Sequence, residues 1–365
     1  MKTNTQVNAR INERVINAIL IVLVFFIAFV YSKVANAQEM RSIQYTGNDP
    51  VNQVISADKK INMLKNSNPD AKAEPLSSTI NSPYAELKPT LSPDGSKLYF
   101  SRLLHPANTS GNSENEDIWY AERNKITNTW SSPLRLVGGL NNSGPNFINN
   151  VSATGDTLIL GNQYGRKGRM RAGLSYSVND RGQWSAPMNI NIQNDYNMSG
   201  HANAFVSLKS GIIIQAVQRE ETYGHRDLYV SFWDGAQASE PINMGGVINS
   251  DLEESSPFLA ADNKTLYFAS KGHAGFGGYD IFVTTRLDES WTNWTTPENL
   301  GPAVNGAMDD EFFSISQCGK YALFSKQVSV HNTDLFKITT HELFGTPEDK
   351  EVAPSNNRNS IVAAL

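Results

Sequence analysis

Trp130-Ser-Ser-Pro133, Trp184-Ser-Ala-Pro187, Ala238-Ser-Glu-Pro241 and Trp294-Thr-Thr-Pro297 are four copies of one short phrase, and their prolines step by 54, 54 and 56 residues. A fifth proline stands 58 residues before Pro133, in Lys72-Ala-Glu-Pro75. Between these marks runs a second ladder: Leu91-Ser-Pro-Asp-Gly95, Val151-Ser-Ala-Thr-Gly155, Val206-Ser-Leu-Lys-Ser-Gly211, Leu259-Ala-Ala-Asp-Asn263 and Ile315-Ser-Gln-Cys-Gly319. A third reads Asp117-Ile-Trp119, Asp227-Leu-Tyr229, Asp280-Ile-Phe282 and Asp334-Leu-Phe336, with Gly173-Leu-Ser175 as a degenerate member. Three ladders in phase define a repeated unit, and self-similarity at a fixed period is the mark of a repeat architecture.

Within the first unit, residues 88–92 precede a Pro-Asp-Gly turn and Lys97-Leu-Tyr-Phe-Ser101 follows it, the pattern of a hairpin. Asp117 opens a third strand over 118–122, and residues 130–136 supply a fourth. Four short strands per unit, with no helical pattern between them, predict an all-β fold: a β-propeller of four-stranded antiparallel blades, five rather than six. Insertions such as 105–116 and 271–279 fall between second and third strands and are expected to cluster on one rim. Pro75-Leu-Ser-Ser-Thr-Ile-Asn81 matches 297–305, the passage from one unit to the next. Residues 75–80 are therefore expected to complete the fifth blade beside 334–339; the competing reading starts that outer strand at Pro347.

The ends of the chain read differently. Residues 18–31 (AILIVLVFFIAFVY) are unbroken apolar sequence behind Lys2, Arg10 and Arg14, and Ala35-Asn36-Ala37 supplies small residues. That is the layout of a secretory signal peptide, too short for a spanning helix, with cleavage expected after Ala37. A periplasmic or secreted protein follows, touching membrane only if the segment stays uncleaved. The expected organisation is signal peptide 1–37, loosely ordered leader 38–71 with a short helix around 57–64, propeller 72–345 and tail 346–365.

Composition supports a folded chain with a large core: 39% hydrophobic, 10% aromatic and 18% charged residues. The net charge of −5 becomes −8 once 1–37, with its four basic residues and one acidic residue, is removed. No Lys/Arg block offers counterion release, so nucleic acid is not an expected partner. One cysteine, Cys318, excludes an internal disulfide, leaving stability to the core. A monomer without cofactor or metal is expected.

Glu254-Ser-Ser-Pro257, Leu266-Tyr-Phe268, Gly277-Gly-Tyr-Asp-Ile281 and Trp294-Thr-Thr-Pro-Glu-Asn-Leu-Gly301 resemble the WD40-like propeller repeat of bacterial envelope proteins, including the TolB type. The resemblance covers about residues 72–340 and is strongest in the first and fourth units. It implies an envelope location. That repeat often precedes an OmpA-like peptidoglycan-binding domain, which the roughly twenty residues after Thr346 do not hold.

Glu86, Glu254 and Asp310 share one phase, five residues after Asn81, Asn249 and Asn305, and are expected near the channel mouth. Convergent carboxylates there suit a hard cation, the acid and base of a glycosidase, or simple bonding to backbone N–H groups. Asn146 and Ala202 interrupt that ring. The Asp ladder and the tryptophans are expected to serve the blades. The glycine-rich loop 272–279 offers His273, Phe276 and Tyr279 as candidate binding residues on the rim. The six histidines show no paired-ligand spacing, and there is no G-x-S-x-G elbow or phosphate loop. Together these favour a non-catalytic binding or scaffold propeller holding an envelope protein, peptide or glycan. The alternative is a glycan-active hydrolase using channel-mouth carboxylates.

Overall fold

The computed structural model describes residues 60–65, 67–111 and 115–345. The expected signal peptide, most of the leader and the tail lie outside them. Among the described residues, twenty-one strands form five antiparallel sheets. The first blade is β2 (Glu86–Leu91), β3 (Lys97–Arg102), β4 (Asp117–Glu122) and β5 (Leu134–Arg135). The second is β6 (Ile148–Val151), β7 (Thr157–Tyr164), β8 (Met170–Asp180) and β10 (Met188–Ile190), with β9 (Gln183–Trp184) also on β8. The third is β11 (Asn203–Ser207), β12 (Ile212–Val217), β13 (Asp227–Phe232) and β14 (Ile242–Asn243). The fourth is β15 (Glu254–Leu259), β16 (Thr265–Ser270), β17 (Asp280–Thr285) and β18 (Glu298–Asn299). In the fifth, β19 (Asp310–Ile315), β20 (Tyr321–Ser329) and β21 (Asn332–Thr339) come from the end of the propeller, and β1 (Glu74–Pro75) comes from its beginning. This is the expected five-bladed propeller.

Strand alternation explains how five sheets become one body. Successive side chains point to opposite faces, so each second strand serves both neighbours. Leu98 and Phe100 pack toward the fifth blade, with Leu323 and Leu335, while Tyr99 packs toward the second, with Ile148 and Leu158. Ile159 faces the third blade. Ile212 and Ile214 face the fourth, joining Leu266 and Phe268, and Tyr267 meets Phe313 and Phe324 of the fifth. Five apolar clusters thus fill the five blade–blade interfaces. Trp130, Trp184 and Trp294 each belong to one of these clusters, as their place in the repeat suggested.

The ring closes with its own amino-terminal segment. Glu74 and Pro75 pair with Lys337 and Phe336, the Leu76 N–H donates to Leu335 O at 2.8 Å, and Ile80 is fully buried in the same interface. The outer position of the fifth blade is therefore taken by β1, as expected, and β21 runs on into a short helix, α1 (Thr340–Phe344). Residues 60–64 are not helical: Met63 bridges Asn299 in parallel, and the Leu64 N–H donates to Asn299 O at 2.8 Å, extending the fourth blade.

One asparagine pins each of four junctions. Asn81, Asn141, Asn249 and Asn305 accept the backbone N–H of Leu335, Ile118, Leu228 and Ile281 respectively, at 2.8–3.0 Å. Each also donates Nδ2–H to the carbonyl of that same residue, at 2.9–3.1 Å. The carboxamide thus imitates a strand where the fourth strand has ended, which is why this residue type repeats there.

Candidate functional site

The antiparallel register sets which residues share a rim. Glu86 lies opposite Arg102 and Arg102 opposite Asp117; Glu254, Ser270 and Asp280 repeat the arrangement, as do Asp310, Lys326 and Asp334. The entry of every inner strand and the loop between second and third strands therefore lie on one face, the mouth of the channel.

Glu86, Glu254 and Asp310 are at that level but do not converge. Each is buried in its own blade and engaged by the segment before it and by the strand beside it. Glu86 accepts from the Ser82 N–H at 3.0 Å and from Arg102 Nε at 3.0 Å. Glu254 accepts from the Ser250 N–H at 3.0 Å, Ser250 Oγ at 2.6 Å and Ser270 Oγ at 2.7 Å. Asp310 accepts from the Gly306 N–H at 2.6 Å and Lys326 Nζ at 3.0 Å. Burial raises the Glu254 carboxyl to about 7 and that of Asp310 to about 6, against the lowering pull of these donors. Among the described residues no three His, Cys, Asp or Glu side chains are placed to hold a metal ion.

The Asp ladder is likewise committed to its loops. Asp117 Oδ2 accepts from the Thr109 N–H at 2.7 Å, Asp227 Oδ2 from the Tyr223 N–H at 2.8 Å, and Asp280 from the Phe276 N–H. Of the three rim candidates, Phe276 is tied to Asp280 in this way. His273 Nε2 lies 2.7 Å from Ile248 O, with its ring against Phe268 and Phe282. The glycines of this loop serve close packing: a Cβ on Gly277 would stand 2.4 Å from the Ala307 carbonyl carbon, and one on Gly275 would stand 1.8 Å from Asp280 Oδ2. Tyr279 is different, because its buried hydroxyl reaches the mouth.

The mouth is built from positions of the repeat whose residue changes from blade to blade. One step before the Asp ladder stand Glu116, Arg226 and Tyr279; one step before the buried carboxylates stand Glu253 and Asp309, and one step after Asp310 stands Glu311. Tyr279 donates its O–H to Glu253 Oε2 at 2.5 Å, while Arg226 Nη2 lies 2.5 Å from the Tyr279 hydroxyl and 3.6 Å from Glu253. Lys271 Nζ adds a bond to Glu253 at 3.2 Å and sits 4.3 Å over the Tyr279 ring. Burial alone would raise the Glu253 carboxyl, but Tyr279, Arg226 and Lys271 together hold it at about 2. Glu311, in the next blade, receives Ser256 Oγ at 3.2 Å, and burial raises its carboxyl above the ordinary range while Arg226 opposes the rise. His201 stands beside them on the approach to β11; desolvation, then the charges of Arg226 and Lys88, lower its proton affinity.

Three inner-strand bulges turn side chains into the channel below. Lys88, Ser256 and Phe312 occupy the same phase, break the register of β2, β15 and β19, and take left-handed φ angles of 56°, 51° and 57°. Lys88 bonds both Glu116 oxygens at 2.9 Å and lies 4.5 and 4.6 Å over the Phe147 and Phe312 rings. The Lys88 cation is clamped between two rings and a carboxylate, beside a cavity of about 40 Å³ that Lys88, Ser256 and Phe312 line with Asn149 and Asn203. Cys318 is remote from this site and exposed in a hairpin turn, where Ser316, 3.4 Å from Sγ, and the Lys320 N–H lower the thiol.

No family model matches the sequence, and no curated protein matches it. Solved structures do match in fold. An endo-arabinase from Bacteroides thetaiotaomicron is 13% identical with a TM-score of 0.47, over 74% of this chain and 97% of that one. An α-L-arabinofuranosidase from Lactobacillus brevis is 12% identical (TM-score 0.44, 72% and 94%), and a gluconolactonase from Xanthomonas campestris is 13% identical (0.40, 75% and 82%). At such identities the likeness carries the fold alone. The resemblance to the TolB-type repeat narrows accordingly to the five-bladed propeller. Against the expectation of a non-catalytic binding or scaffold protein, many of the matching propellers carry the names of glycoside hydrolases. Glu86, Glu254 and Asp310 are bonded within their own blades, and the mouth gathers acid–base groups that do not repeat.

Proposed function

We propose that this propeller is a glycan-active hydrolase working at the channel mouth. The observation that supports it is the pair Glu253 and Glu311, from neighbouring blades, whose surroundings drive their proton affinities apart across the shared cation Arg226. Hydrolysis of a glycosidic bond uses two carboxyls of divergent proton affinity: one protonates the leaving oxygen as its bond to the anomeric carbon breaks, and the other, charged, takes a proton from the water whose oxygen forms the new bond to that carbon. Glu311 takes the first role and Glu253 the second. Tyr279 and Lys271 fix the Glu253 carboxylate in place, and His201 offers a hydrogen-bonding group to the sugar or to water.

The test is release of reducing sugar from a panel of neutral and acidic polysaccharides. Glu311→Gln is expected to lower kcat/KM by about 10²–10⁴, the usual worth of a general acid. The loss should be smaller on aryl glycosides whose leaving group needs no proton. Activity should fall as pH rises through the elevated Glu311 pKa, because the acid form is the working one. No cleavage of any panel member by the native chain, or full activity in Glu311→Gln, would overturn the proposal.

A further inference from the structure

The second blade carries an extended hairpin. Its strands β7 and β8 have 8 and 11 residues, against 6 for β3, β12 and β16; β20 and β21 of the fifth blade, with 9 and 8, are also long, but the tip between them holds no arginine. The extra length runs past a register shift at Gly161 into the pairs Gln163–Arg171 and Tyr164–Met170. A tight loop caps it, with the Gly165 N–H donating to Arg169 O at 2.7 Å. Beneath the loop is a pocket of about 440 Å³ lined by Gln163, Tyr164, Arg166, Arg169, Arg171 and Asn189. Among the described residues no carboxylate pairs with any of the three arginines, although the chain as a whole carries net charge −5.

The pocket faces the same rim as the mouth. Gly161 donates to Phe147 O at 3.0 Å, and Phe147 is the ring under Lys88. The hairpin leaves the blade just beyond that bond, so a chain lying across the mouth has the pocket on its path over the second blade. Tyr164 is held as a wall by its hydroxyl bond to Leu140 O at 2.8 Å. Asn189 Oδ1 accepts from Ser175 Oγ at 3.1 Å. A fixed ring, two carboxamides and three exposed guanidinium groups with no carboxylate partner among the described residues have the composition that recognises a sugar carrying an anionic group: guanidinium forks match a carboxylate, the ring covers a sugar face, and the amides take hydroxyls.

We infer that this pocket binds an acidic sugar residue, so that the glycan acted on at the mouth is a uronic-acid-bearing chain, the second part resting on the hydrolase reading above. The experiment uses the full chain carrying Glu311→Gln, so that binding is read without cleavage, and titrates it calorimetrically with tetragalacturonate, with a neutral galactan tetrasaccharide and with inorganic sulfate. Tetragalacturonate is expected to bind at least about tenfold more tightly than the neutral tetrasaccharide. Arg169→Ala and Arg171→Ala should each cost about tenfold for the acidic chain, the scale of one charged hydrogen bond, and leave the neutral one unchanged. Arg171→Lys should recover part of the loss if charge matters, and circular dichroism checks that the variants fold.

Equal affinity for the two tetrasaccharides overturns the inference, as does undiminished tetragalacturonate binding after all three arginines are replaced. Sulfate alone saturating the pocket as tightly as the tetrasaccharide would mark a general anion site and also overturn it. The two readings fail separately. Arginine-dependent binding of the acidic chain with no polysaccharide cleaved sustains the pocket and removes the hydrolase; cleavage of neutral chains with no acidic preference does the reverse.

Discussion

Replacing Asn305 isolates what a junction asparagine contributes. Its side chain is 2% exposed and makes three bonds: Oδ1 accepts from the Ile281 N–H at 2.8 Å, and Nδ2 donates to Ile281 O at 2.9 Å and to Asn299 Oδ1 at 2.8 Å. In Asn305→Ala both acceptors keep another donor, because the Leu300 N–H reaches Ile281 O at 3.1 Å and the Gly301 N–H reaches Asn299 Oδ1 at 2.9 Å. The Ile281 N–H keeps nothing from the side chain and is fully buried. One orphaned donor costs about 1–3 kcal/mol, and the small void left by the carboxamide brings the expected loss to about 2–4 kcal/mol.

Asn305→Asp separates donor from acceptor. It still accepts the Ile281 N–H but turns a second oxygen toward two acceptors, so its carboxyl is forced above the ordinary value near 4. A raised folded-state pKa means the native state binds the extra proton, so this variant regains stability as pH falls from about 7 to 4, while the Asn305→Ala deficit stays level. Urea unfolding at both pH values, read as midpoint shifts at unchanged slope, gives the result. A loss below about 0.5 kcal/mol in Asn305→Ala, or Asn305→Asp matching the native chain at pH 7, would refute the idea that the carboxamide stands in for a strand.

Two further outcomes test the buried charges. Glu254 has its folded pKa raised from 4.5 to about 7, so the native state holds a proton that the unfolded chain releases, and its contribution to stability is lost as pH rises across that interval. Thermal melts should show Glu254→Gln gaining on the native protein between about pH 5 and 8, by up to about 3 kcal/mol; a pH-independent difference would contradict the assignment. At the Lys88 clamp, Lys88→Met leaves the half-buried Glu116 without its cation and should cost about 2–4 kcal/mol, whereas adding Glu116→Gln should return most of it. A double-mutant cycle with no coupling would show that the pair does not hold the clamp together.

The repeat was legible because a propeller restates its local chemistry in every blade. The Asp ladder, the Pro-Asp-Gly turn and the tryptophans recur where each blade needs the same loop bond, hairpin and apolar plug. Even the closure could be read, since Pro75 to Asn81 has the phase of a unit's end. The same logic covers Glu86, Glu254 and Asp310: of the roles their repetition suggests, simple bonding within the blade is the one their hydrogen bonds show, since a side chain that recurs with the blade serves the blade. Glu116, Arg226, Tyr279, Glu253 and Glu311 stand one residue away from those ladders, and the usable signal was that their positions change identity from unit to unit.

What the sequence determined by itself is the unit, its count and the alternation that sends Leu98 and Tyr99 to opposite neighbours, because these depend on contacts within a strand's length. Only the tertiary structure decided which charges meet. Arg226, Glu253 and Glu311 come from three blades and 85 residues of chain, and ring curvature with register-breaking bulges brings them to one mouth. The burial that raises Glu311, and the cations that lower Glu253, exist only once the five sheets have closed against one another.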